Sequence, residues 1–324
     1  MIPRTTHTYA TSQSGALKLD VFHIPRKIAF EGKRPAILYF HGGGLVALNR
    51  ELVPKHIMQS CLRRNWPIVS ADYDLLPQAE GTSLVDNARD SYAFVRENLG
   101  KILGEGDGIW ENIIVMGSSA GGYMANLAGH NTKPLPLAIL TYYGISTVSD
   151  SFYSSNTLIH TSSPIPYSRI SHFLTEEMTS GSTPRSIAFN PACLLLSGNI
   201  DPHYVWPEPE DIDWNRIRPV LYNYLVQENM LPDMLKDVDH PLTSESWKKF
   251  PDTIMIHGTI DELVPYSCSK NLVDAIGSEK AQLFTIEGVG HSFDSGRLLG
   301  SPDLAGAEKA WRALDAVVKK KMKV

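Results

Sequence analysis

The apolar run Asn112-Ile-Ile-Val-Met116 ends in Gly117-Ser118-Ser119-Ala120-Gly121-Gly122. This pattern predicts a buried strand, a tight turn and then a helix. Small residues on both sides of Ser119 let the backbone take a strained turn that lifts the side chain clear of the chain. A serine hydroxyl needs that exposure, and a base beside it, to act as a nucleophile. Ser119 is therefore the leading candidate for covalent chemistry.

Three further segments have the same form, a short apolar strand leading into a loop. Pro35-Ala-Ile-Leu-Tyr-Phe40 runs into His41-Gly42-Gly43-Gly44, whose bare backbone can turn its N–H groups toward an oxyanion. Asp252-Thr-Ile-Met-Ile-His257 runs into Gly258-Thr-Ile-Asp261, which sets a carboxylate just past the strand. Gln282-Leu-Phe-Thr-Ile-Glu287 leads through Gly288 and Gly290 to His291. Asp261 suits the orienting acid and His291 the general base. Their rivals are Asp201 and Glu262 for the acid and His257 for the base. Asp201 falls in a long irregular stretch, and His257 is expected within or at the tip of a strand.

The order Ser, Asp, His, each after its own strand, together with the HGGG loop, resembles the α/β-hydrolase arrangement. The GxSAGG form points to the hormone-sensitive-lipase-type esterase branch, and the resemblance covers nearly the whole chain. Tyr73-Asp-Leu-Leu-Pro77 is similar to a segment of that branch. The resemblance implies an α/β-hydrolase fold with a mostly parallel central sheet, helices on both faces and an inserted cap. It implies that the N–H groups of Gly43, Gly44 and Ala120 face the oxyanion, that His41 props the glycine loop, and that Asp261 is the acid of an HGxxDxxVP pattern. One position departs from the branch: Ser118 stands where an acidic residue usually precedes the nucleophile.

Strand-like runs alternate with helical periodicities, as expected of a parallel sheet covered on both faces. Two strands are predicted near residues 6 to 11 and 16 to 24. A helix is predicted from Ser83, with Leu84, Val85, Ala88, Tyr92, Val95 and Leu99 on one side, and a C-terminal helix through Ala307, Trp311, Leu314 and Val318. The alternation fails between Tyr143 and Asp252. The chain is therefore expected to be a single domain with a cap insertion at about 146–250, over the carboxyl ends of the strands. Phe152, Tyr153, Tyr167, Phe173, Tyr204 and Trp206 are expected to pack inside that insertion. A surface turn is predicted at 207–211.

With a net charge of −5 over 324 residues, the chain offers no basic field for nucleic acid. The run Lys319-Lys-Lys-Met-Lys323 is expected to be a solvated helix end. The N-terminal residues lack the apolar core of a secretory signal, and no segment reaches the length of a membrane span. Cys61, Cys193 and Cys268 have no metal-ligand spacing and are expected to be buried apolar residues in a reducing compartment. A cytoplasmic enzyme follows as the expectation.

The expected reaction is cleavage of a small-molecule carboxylic ester, thioester or lactone through an acyl-serine, with no metal or organic cofactor. A non-hydrolytic enzyme of specialised metabolism on the same scaffold stays open: a dehydratase, lyase or cyclase using the oxyanion loop and His291. So does a binding protein that has lost catalysis. The resemblance also offers the C-terminal strand and helix as an edge through which a homodimer could form.

Overall fold

The computed structural model describes residues 1–26, 34–177, 191–206 and 218–323. The strands are β1 (Arg4–Ser12), β2 (Gly15–Phe22), β3 (Ala36–Phe40), β4 (Ile68–Ala71), β5 (Ile113–Ser118), β6 (Ala138–Tyr142), β7 (Thr253–Gly258) and β8 (Ala281–Ile286). They form one sheet in the order β1-β2-β4-β3-β5-β6-β7-β8. β1 pairs antiparallel with β2, and β2 antiparallel with β4, and all other pairs are parallel. This is an α/β-hydrolase fold.

Side chains of the central strands alternate between two apolar clusters, one on each face, because successive residues of a strand point to opposite sides. Leu38, Phe40, Ile113 and Val115 join the cluster that includes α2 (Gly81–Ile102), α3 (Ala120–Asn131) and α7 (Tyr266–Ile276). Ile37, Tyr39, Ile114 and Met116 join the cluster that includes α1 (Lys55–Arg64) and α8 (Ala305–Met322). The apolar stripes read for the helix from Ser83 and for the C-terminal helix are the buried ones: Leu84, Ala88, Tyr92 and Leu99 in α2, and Ala307, Trp311, Leu314 and Val318 in α8.

Between β6 and β7 lie the short helices α4 (Tyr167–Thr175), α5 (Val220–Gln227) and α6 (Met230–Leu235). Their apolar residues Ile170, Phe173, Leu221, Leu225 and Leu231 share one buried cluster with Leu45, Val46 and Leu76 of the body. Of the aromatic residues read in this segment, Tyr153 and Phe173 are buried, whereas Tyr167 and Trp206 are exposed. The turn expected at 207–211 lies outside the described residues.

Arg218 stitches this segment to the body. Its guanidinium donates to Val46 O and to Leu76 O and Gln78 Oε1 of the body, and to Phe173 O and Glu176 Oε1 of the segment.

The basic C-terminus is the exposed end of α8, with Lys319, Lys320, Lys321 and Lys323 facing solvent, and Lys321 Nζ also reaches Leu137 O at 2.7 Å and Asp252 Oδ2 at 2.5 Å. The three cysteines are buried, and burial pushes the Cys61 thiol up to about 12. Among the described residues no helix is long and apolar enough to cross a membrane.

Candidate active site

Because β3, β5, β6, β7 and β8 run parallel, their carboxyl ends lie on one edge of the sheet, and the loops that follow converge there. Ser119 follows β5 with φ 54° and ψ −122°, outside the regions a non-glycine residue prefers. Such strain costs about 1–3 kcal/mol and must be held by the surroundings. Ser119 N donates to Tyr142 O at 2.9 Å, and its carbonyl accepts from the N–H groups of Gly122 and Ile145 at 2.9 and 3.1 Å. The turn also needs its glycines. A Cβ on Gly117 would fall 1.9 Å from Gly121 O, and one on Gly121 would fall 2.1 Å from Phe40 O.

Three of the residues read from the sequence meet here. His291 Nε2 lies 3.0 Å from Ser119 Oγ, and His291 Nδ1 lies 2.7 Å from Asp261 Oδ2. A carboxylate only accepts, so Nδ1 carries the hydrogen, and Nε2 is left to take the proton of Ser119. The other oxygen of Asp261 accepts from the N–H groups of Leu263 and Val264 at 2.9 and 3.0 Å. Burial pushes the Asp261 carboxyl up. Hydrogen bonds from His257, His291 and Val264, with the charge on His291, outweigh burial and hold it well below the usual carboxylate range.

The rivals are set elsewhere. His257 is fully buried at the end of β7, with Nδ1 2.7 Å from Ser269 Oγ and Nε2 2.9 Å from Val264 O and 3.2 Å from Asp261 Oδ2. It braces the acid from behind, a contact the sequence reading did not foresee. Glu262 faces outward and pairs with His160 at 2.8 Å. Asp201 caps its own turn, accepting from His203 N at 2.9 Å.

The glycine loop is folded back by its own hydrogen bonds, with Gly43 O accepting from Val46 N and Ala47 N at 3.1 and 3.0 Å. Gly43 and Gly44 have φ of 112° and 65°. Among the described residues no backbone acceptor is found for the N–H groups of Gly43, Gly44 or Ala120, and Gly43 and Gly44 line the cleft. His41 is buried beside this loop. Its Nδ1 lies 2.7 Å from Gly42 O, and its ring stacks on Tyr73 at 4.3 Å. Tyr73 Oη donates to His41 O at 2.9 Å. Burial pushes the His41 imidazole down to about 4, so it stays uncharged near neutrality and supports the loop.

Ser119 and His291 open into a cavity of about 320 Å³ lined mainly by apolar surface, including Leu48, Leu52, Tyr143, Tyr222 and Leu263. The sequence reading missed its main walls. Tyr222, on α5, packs so closely on the glycine loop that a Cβ on Gly44 would fall 2.5 Å from its own Cβ, and its hydroxyl donates to Leu263 O at 2.8 Å. It thereby bridges the glycine loop and the acid loop. The Tyr143 ring lies 4.5 Å from that of His291, and its hydroxyl donates to Asp294 Oδ1 at 2.5 Å. Asp294 Oδ2 in turn holds His56 Nε2 at 2.8 Å. Tyr143 follows a strand as the other site residues do, which was a usable signal; Asp294 and His56 carried none. Ser118, the residue that departs from the esterase branch, accepts from Tyr39 Oη at 3.2 Å.

Comparisons with known proteins accord with this fold. The sequence profile of a family described as "alpha/beta hydrolase fold" matches residues 37–205, more than half of the chain. The non-reducing polyketide synthase ausA of Aspergillus calidoustus is 25% identical over 346 aligned residues, covering 93% of this chain and 13% of that protein. ausA of Emericella nidulans is 26% identical, covering 97% of this chain and 14% of that protein. The chain thus spans only 13–14% of the length of these curated relatives. Among solved structures, an α/β hydrolase superfamily protein of Enterococcus faecalis superposes with a TM-score of 0.64 at 16% identity, covering 99% of this chain and 100% of that one. Carboxyl esterase 2 of Tuber melanosporum gives 0.60 at 16% identity, covering 98% and 87%. At these identities the structural likeness is one of fold.

Proposed function

Because the chain belongs to the alpha/beta hydrolase fold family, whose profile spans more than half of it, we propose that it is a serine hydrolase. It cleaves a carboxylic ester, thioester or lactone through an acyl-serine. The observation that carries the reading is the hydrogen-bond chain from Ser119 Oγ to His291 and on to Asp261, 3.0 and 2.7 Å, at the mouth of an apolar cavity.

In the first step Ser119 Oγ attacks the acyl carbon as His291 Nε2 takes its proton, and Asp261 keeps the imidazole in the tautomer that can accept it. Negative charge then grows on the carbonyl oxygen. The N–H groups of Gly43, Gly44 and Ala120 are the donors we assign to it, each worth roughly 2.7–4 kcal/mol of barrier. His291 passes the proton to the leaving oxygen or sulfur, and water, deprotonated by the same imidazole, releases the acyl group. The HGGG and GxSAGG motifs favour the hormone-sensitive-lipase-type esterase branch. The β6–β7 segment, with Pro219 and Tyr222 over the cleft, acts as the cap of a single catalytic domain.

A second reading rests on one observation, that the curated relatives are polyketide synthases. On it the acyl group is a polyketide, and the acyl-serine is attacked by a hydroxyl of the acyl chain itself, giving a cyclised product.

Purified protein and its Ser119→Ala variant, assayed with p-nitrophenyl esters of increasing acyl length, test the proposal. Turnover by the wild type should fall by about 10⁴-fold or more in the variant. Folded wild-type protein that turns over no ester of the series would remove the hydrolytic reading. With a hydroxylated polyketide thioester, free acid against lactone in the product separates the two readings.

A further inference from the structure

A tight turn follows the base. His291-Ser-Phe-Asp294 doubles back with Ser292 at φ 55° and Ser295 N donating to Ser292 O at 2.9 Å. The turn returns a carboxylate to the interior, where Asp294 is 1% exposed. On the facing side Tyr143 leaves β6 at φ 39°, its N–H donating to Ile256 O at 2.7 Å. A positive φ is costly for a residue with a side chain and persists only where the surroundings impose it. Two such residues flank His291, and between them they bring Tyr143 and Asp294 together.

Tyr143 Oη donates to Asp294 Oδ1 at 2.5 Å, within the short range of a bond to an ionised oxygen. Burial, and next the charge of Asp294, push the Tyr143 hydroxyl up, so it keeps its proton and remains the donor. Asp294 Oδ2 accepts from Nε2 of His56, which lies on α1 and is fully buried, at 2.8 Å. Among the described residues no partner stands at His56 Nδ1, so a neutral ring suffices for this contact and leaves the charge of Asp294 uncancelled. Tyr143 also sets its ring beside that of His291, the centroids 4.5 Å apart and the planes at 58°.

We propose that Tyr143 and Asp294 are positioning residues of the hydrolase: Asp294 acts through the Tyr143 ring on His291 and favours the imidazolium that forms as Ser119 gives up its proton. This rests on the hydrolase reading above and deepens it. A cation within about 6 Å of an aromatic ring is drawn to its electrons. A phenol that donates to a carboxylate is polarised by it, which makes the ring more negative. The mainly apolar wall of the cleft leaves that attraction less screened than water would. The other groups around the base have their own places. Asp261 meets Nδ1 and Ser119 meets Nε2, His257 touches Asp261, and Glu262 pairs with His160.

The test follows kcat/KM for p-nitrophenyl butyrate against pH in the wild type, Tyr143→Phe and Asp294→Asn. Phe keeps the ring. Asn keeps an acceptor for Tyr143, and His56 can move its hydrogen to Nδ1 and accept from the amide. Only the charged form of His291 gains from the contact, so its loss makes the base easier to deprotonate. The rise of activity with pH should therefore come about 0.5–1 pH unit lower in each variant. On the plateau kcat should fall about three- to tenfold with KM little changed, because the cation exists in the transition state and not in the bound ground state. A merely structural role would lower stability or the plateau and leave the rise where it was. A rise that stays in place, or moves to higher pH, in either folded variant overturns the proposal. NMR of ¹³C-histidine-labelled protein, with the His291 signal assigned by its loss in His291→Ala, reads the same titration without substrate, and an unmoved signal overturns it equally. Wild-type protein that turns over no ester would defeat the hydrolase reading, while the NMR titration still decides whether Tyr143 and Asp294 act on His291.

Discussion

At the residue scale, the surroundings of Asp261 strongly shift its titration. Its carboxylate meets His257 and His291 on one oxygen and the N–H groups of Leu263 and Val264 on the other. Its pKa is held below that of the unfolded chain, so as pH falls through the ordinary carboxylate range the unfolded state takes up a proton before the folded one. The stability Asp261 contributes is complete above the ordinary carboxylate pKa, roughly 3.9, and is lost as pH falls toward the folded value. Urea unfolding at about pH 6 and about pH 3.5 should show the wild type losing more stability than Asp261→Asn over that interval. Equal losses would show that the hydrogen bonds to Asp261 do not set its acidity. Ser119, Asp261 and His291 were legible because each ends a strand in a recognisable local pattern. His257 and Asp294 were not, because only tertiary folding brings them to their partners.

At the scale of elements, α5 carries the weight that local sequence did not announce. Tyr222 lies on the glycine loop and its hydroxyl reaches Leu263 O, two residues from Asp261. Tyr222→Phe removes that hydrogen bond and keeps the ring, so it should cost about 0.5–1.5 kcal/mol in stability by urea titration. It should also lower kcat/KM by less than about tenfold. A larger fall in activity with unchanged stability would mean that the hydroxyl touches substrate. The strands and the long helices α2 and α8 were readable because their periods of two and 3.6 leave a mark in the sequence. The helices α4, α5 and α6 were not. They are short, and their burial depends on lying against Leu45, Val46 and Leu76, far away along the chain.

At the scale of the whole molecule, the question is what holds the β6–β7 segment over the body. Arg218 answers it with donors to Val46 O and Leu76 O on one side and to Phe173 O and Glu176 on the other, with 4% of its side chain exposed. Arg218→Met strands these acceptors and should cost roughly 3–5 kcal/mol of stability, the range for breaking a buried charged network. Limited proteolysis should then cut between β6 and β7 before it cuts the sheet, and a variant as stable and as resistant as the wild type would show that apolar packing alone holds the segment. That a long segment joins two strands of the sheet between Tyr143 and Asp252 could be read from the lost alternation. How it is fastened could not, since one arginine serving both sides has no spacing to betray it.

The central claim is that Ser119, primed by His291 and Asp261, forms a covalent bond to substrate carbon. A fluorophosphonate, which phosphonylates activated serines, tests it without knowledge of the natural substrate. The account predicts one adduct per chain by intact mass, mapped by peptide sequencing to Ser119 and lost in both Ser119→Ala and His291→Ala. A folded protein that takes no adduct, or that takes it on another residue, would contradict it.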